Sequence, residues 1–129
     1  MLSEYIDIRG KWGIVVCYDL RWSDEDDMIA YMESLGTSWE KAVKNTGILL
    51  NGINSGLCVT NLALRMSLIF IGDADSTEQW WDTLTHELYH AQQAICEYYG
   101  VKPDSEDGAW TMGYLMRKSV EQIAPPCAR

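Results

Sequence analysis

Between Ser76 and Tyr99 the chain carries one unbroken helical pattern, and no other stretch constrains its fold as much. Ser76 and Gln79 form a capping box, in which side chains satisfy backbone N–H groups that the first helical turn leaves free. Gly100 supplies the stop, because glycine adopts the left-handed conformation that closes a last turn. Leu84, Leu88, Ala91 and Ile95 recur between these ends at helical spacing. Such a stripe has to be covered by other elements.

Those elements are legible before and after it. KWGIVVCYDL (11–20) is apolar and β-branched and reads as a buried strand. A helix is expected to start at Ser23, with Asp26 completing its cap, and to stop at Gly36. A second is expected over 37–52, capped by Thr37 and Glu40. LCVT (57–60) and MSLIFI (66–71) read as a hairpin or two adjacent strands, and GDAD (72–75) closes the sheet region. A last helix is expected from about Ser105 to Gln122, ahead of Pro125. The order β, α, α, β, β, α, α predicts one α+β domain over 1–129. It would hold a short antiparallel or mixed sheet packed on the long helix. Trp80, Trp81 and Trp110, at helical spacings, are expected in the core.

Charge excludes some function classes. The net charge is −9, from 10 basic and 19 acidic residues. That repels phosphate backbones and anionic membranes, so neither nucleic acid nor a membrane is the expected partner. The N-terminus has no apolar run of signal-peptide length, and MSLIFIG (66–72) is far too short to span a bilayer. A cytoplasmic protein is expected. The acidic run 24–27 lacks the spacing and central glycine of a calcium loop and reads as a solvated helix start. Cys17, Cys58, Cys96 and Cys127 are scattered without a paired motif and read as reduced thiols rather than zinc ligands.

The long helix holds TLTHELYHAQQ (83–93), with both histidines of the chain four residues apart. On a helix that spacing places His86 and His90 on one face, where two imidazoles can bind one ion. Glu87 lies one position round from His86, flanking such an ion, where a carboxylate can take a proton from an activated water. Random placement produces this pattern in about 0.1% of arrangements. Zinc is the expected cofactor, since it brings the pKa of water toward neutrality.

HELYH is the H-E-x-x-H signature of the zincin metallopeptidases. The stretch HELYHAQQAICEYYG, followed by SEDGAWTMGYLMRK, resembles small zincin-like proteins of bacteria and their phages, of gluzincin type. The resemblance covers roughly residues 57–118. It implies a small sheet packed on the motif helix, whose edge strand can hold an extended peptide, a role that the strands at 57–71 would suit. It also implies a third ligand from the acidic pair Glu106–Asp107, with Glu106 favoured. A simple antiparallel helix hairpin would instead bring Tyr114 nearer the level of His90. Glu106 then reaches the metal only if the loop 100–105 doubles back or the motif helix ends before Gly100. Tyr114 is the candidate to stabilise the oxyanion, and Asp82 to orient His86.

The function expected is hydrolysis of peptide bonds in a peptide or protein substrate, with Glu87 as general base. A second copy or a protein partner would complete a shallow cleft. A non-catalytic zinc-stabilised binding module, or an acidic interaction or inhibitor protein of phage or mobile-element type, are the alternatives.

Overall fold

The computed structural model describes residues 1–126, so the expectation for Cys127 lies outside the described residues. Its elements are β1 (Leu2–Ile8), β2 (Trp12–Tyr18), α1 (Glu25–Ser34), α2 (Trp39–Leu50), β3 (Gly56–Asn61), β4 (Met66–Ile71), α3 (Thr77–Tyr98) and α4 (Glu106–Gln122). They make a mixed α+β fold. The four strands lie in the order β1-β2-β4-β3. β2 and β4 are parallel, and the two outer pairs are antiparallel.

The two central strands explain the layering. β2 and β4 are apolar along nearly their whole length, as strands covered on both faces must be. Ile14, Val16, Ile69 and Ile71 pack against Leu84, Leu88 and Ala91 of α3 and Leu115 of α4. Cys17, Leu68 and Phe70 point the other way, into Met28 and Met32 of α1 and Ala42 and Leu49 of α2. The molecule is thus three layers, with a helix pair on each side of the sheet. Burial of each leucine is worth about 1.5–3 kcal/mol, enough to fix which face of α3 turns inward.

Several expectations need correction. The strand β1 is additional to the expected order. Only Ile6 and Ile8 of it are buried, and Ser3, Glu4 and Asp7 dilute its alternation. Its turn into β2 uses Arg9 and Gly10 at φ 53° and 69°, with the Lys11 N–H donating to the Ile8 carbonyl at 2.9 Å. Hairpins of this hand usually announce themselves by Asn-Gly or Asp-Gly, and Arg9 carries about 1 kcal/mol of strain there. Ser23 caps nothing. It lies in a short 3-10 turn (Trp22–Asp24) whose start is held by Asp24 accepting from the Arg21 N–H at 2.9 Å. The α2 cap falls on Ser38 rather than Thr37, its hydroxyl accepting from the Lys41 N–H at 3.3 Å. Trp80 is buried and Trp81 half-buried, but Trp110 is 71% exposed.

The ends of the motif helix follow the sequence more closely. Ser76 accepts from the Gln79 N–H at 3.1 Å, while the Gln79 side chain returns to the Asp75 N–H instead of that of Ser76. Gly100 stands at φ 71° just past the end, and the Val101 N–H reaches back to the Cys96 carbonyl at 2.8 Å. Among the described residues no helix is long and apolar enough to cross a membrane.

Candidate metal centre

His86 and His90 stand on the solvent side of α3 beside β3, with their Nε2 atoms 3.2 Å apart and their rings nearly perpendicular at 75°. A tetrahedral zinc with Zn–N bonds of about 2.0–2.1 Å holds two nitrogens roughly 3.3 Å apart. In the metal-free protein that distance is a hydrogen bond between the two rings, and a shared ion would need almost the same spacing. Glu87 turns a quarter of the way round the helix, toward β3, and is only 6% exposed. Its Oε1 lies 3.9 Å from His86 Nε2. That is longer than the spacing between two ligands of one zinc and suits a carboxylate facing a water beside the ion.

Burial is the main influence on Glu87. It pushes the carboxyl pKa up, and the two histidines beside it pull the other way. A carboxyl raised by desolvation is a stronger proton acceptor than a solvated one, which is the direction a general base needs.

The floor of the site comes from β3. Gly56, Cys58 and Thr60 lie on the α3 side of the sheet. A Cβ at Gly56 would come within 2.8 Å of Thr83 Cγ2, 3.0 Å of Glu87 Cγ and 3.1 Å of the Phe70 carbonyl. This glycine lets the helix approach closely enough to bury Glu87. Gly56→Ala is expected to cost about 1–3 kcal/mol, measured by urea unfolding, because Thr83 is buried and stiff at χ1. Unchanged stability would mean that α3 does not bear on β3 at this point.

Cys58 borders the same cleft as Glu87 and His90. Burial, opposed by its contact with Thr60 and reinforced by the charge of Glu87, pushes its thiol up to about 12. In the metal-free protein it is therefore held as a thiol. Asp82 lies one turn before His86 and lines the adjoining cleft with it.

Glu106 and Tyr114 are not brought to the histidines. The helix α3 runs unbroken to Tyr98, and α4 returns antiparallel along another flank. Gln92 Nε2 donates to the Gly108 carbonyl at 3.0 Å, and Thr85 Oγ1 meets Met116 Sδ at 3.7 Å. This register puts the first turn of α4 beyond the level of His90. It also sets α4 on the side of Thr85 and Gln92, away from the imidazoles. Glu106 is exposed there, and among the described residues no three His, Cys, Asp or Glu side chains gather as a metal-binding group. The Tyr114 ring lies 5.1 Å from the Arg9 guanidinium carbon. Arg9 belongs to the β1–β2 turn, at the sheet edge opposite β3, so Tyr114 lies on the same face of the sheet as the pair but over its far edge.

Gly56, Thr60, Gln93 and Glu97 also border the site, and the motif alone does not point to them. A signal for two of them exists. His86, His90, Gln93 and Glu97 continue one polar stripe at i, i+4, i+7 and i+11.

The chain matches no protein-family model, no curated protein and no solved structure.

Proposed function

We propose that the protein is a zinc-dependent peptidase of minimal size, acting on peptide or protein substrates with Glu87 as general base. The observation that carries this reading is the imidazole pair, pre-spaced at 3.2 Å, beside a nine-tenths-buried carboxylate. The H-E-x-x-H resemblance supports it. His86 and His90 would hold the ion, with its remaining positions open to water and substrate. A bound zinc supplies a Lewis acid and makes water acidic enough to attack near neutral pH. Glu87 receives the proton of the attacking water and passes it to the departing amine. The outer strand β3 offers its backbone edge to an extended peptide, which would pair with it as an added strand.

One observation favours a second reading, a zinc-holding binding module without turnover: no third protein donor joins the pair among the described residues. The two readings share a first test. Elemental analysis of the purified protein is expected to give about one zinc per chain, and His90→Ala is expected to abolish it. Equal metal content in both proteins, or no uptake of added zinc by either, would sink both readings.

A further inference from the structure

The space beside the histidines is a groove made of two adjoining clefts between α3 and β3. Ser55 borders one cleft with Asp82 and His86, and Thr60 borders the next with His90 and Glu97. Gly56 and Glu87 line both, so the two clefts meet beside the histidines, and α3 and β3 run along them in the same direction. Among the described residues no lysine or arginine lines either cleft. Asp82 and Glu97 stand one toward each end.

Glu87 points to a ligand independently of those two acids. It is 6% exposed, and its closest polar contact among the described residues is His86 at 3.9 Å. With no hydrogen bond to a described residue, its carboxyl is left to solvent or to a ligand. It opens onto both clefts.

The helix from Asp82 to Glu97 rises about 22 Å, at 1.5 Å per residue. An extended peptide covers that distance in roughly six or seven residues. We propose that the groove selects an extended peptide with a lysine or arginine toward each end of such a stretch, and that Asp82 and Glu97 recognise those two cations. This deepens the peptidase reading and rests on it. The point of cleavage would fall between the two cations, over His86 and His90. An acidic peptide would instead meet a carboxylate at each end, with no lysine or arginine among the described lining residues to offset it.

The test uses the full chain carrying Glu87→Gln, loaded with zinc, so that peptide is bound but not cut. Fluorescently labelled peptides of about seven residues share one neutral centre and carry lysine, glutamine or glutamate near both ends. Anisotropy titrations should show the lysine peptide binding at least about tenfold tighter than the glutamate peptide, with the gap narrowing in high salt. Adding Asp82→Asn or Glu97→Gln should weaken the lysine peptide about three- to fivefold each and leave the glutamine peptide unchanged. Glu33→Gln, which removes the same charge from an exposed position on α1, should change none of them. Equal affinity for the three peptides, or equal weakening by Glu33→Gln, overturns the proposal. Cleavage by the unsubstituted protein separates the two ideas. Lysine and glutamate peptides cut alike would keep the peptidase and overturn the selectivity. A lysine peptide held through Asp82 and Glu97 but never cut would support the selectivity and overturn the peptidase.

Discussion

Replacing Glu87 by glutamine is expected to leave about one zinc per chain and to lower peptide hydrolysis about a hundred- to ten-thousandfold, the usual contribution of a general base. The substitution keeps the shape of a side chain wedged between α3 and Gly56 of β3, so the fold should survive it. What it removes is the proton acceptor. Zinc content and cleavage of a peptide library, measured on the same preparations, check the result. Retained turnover would take Glu87 out of the mechanism, whereas zinc binding with no hydrolysis by either protein would favour the binding module.

The same variant has a stability signature with a defined sign. Burial raises the carboxyl pKa of Glu87 in the folded protein, above its unfolded value of about 4.3. The folded state therefore holds the proton more tightly. This group favours folding most below the unfolded pKa, and that contribution is lost as pH rises through the folded pKa. In metal-free protein, Glu87→Gln should accordingly be the more stable form at pH 7, with the advantage fading toward pH 4. Urea midpoints at the two pH values measure it. A metal-free parent that is the more stable at pH 7 would show that the buried carboxylate carries no such penalty.

The parts of this molecule that could be read from sequence are those governed by local rules. The span of α3 follows from Ser76, Gly100 and one apolar stripe, and that of α4 from Ser105. The spacing of His86 and His90 alone put their rings on one face. What could not be read depends on how elements meet. β1 escapes because its pairing with β2 is decided by the partner strand and by an Arg9-Gly10 turn that only tertiary structure stabilises. Glu106 is suggested by the acidic pair of the family pattern and Tyr114 by a simple hairpin of α3 and α4, and neither argument fixes where α4 crosses α3. The crossing is set by packing of Leu115 into the sheet-side core and by Gln92 clamping the start of α4. Gly56 belongs to the site only because β4 carries β3 under α3, which no feature of the NGINSG turn announces.

Gly108→Ala is expected to destabilise the protein by about 3 kcal/mol, although helix propensity alone predicts a gain of about 1 kcal/mol. The glycine occupies the first turn of α4, directly beneath the loop from α3. A Cβ there would stand 2.2 Å from the Pro103 carbonyl oxygen, 2.6 Å from the Pro103 carbonyl carbon and 2.8 Å from the Lys102 oxygen. All three are backbone atoms and cannot rotate away. Buried Gln92 donates to the Pro103 and Gly108 carbonyls, at 2.9 and 3.0 Å, so moving the loop to admit a methyl group also breaks that clamp. Overpacking of this kind costs about 1–3 kcal/mol, and each hydrogen bond lost adds roughly 1. For a chain of this length the change should lower the melting temperature by about 10 °C. The result also bears on the proposed zinc site, because the clamp holds α4 on the Gln92 flank of α3. If Gly108→Ala proves neutral or stabilising, α4 is free to shift along α3, and Glu106 returns as a reachable third donor. If it destabilises as expected, a zinc ion held by the imidazole pair would have to complete its coordination without α4.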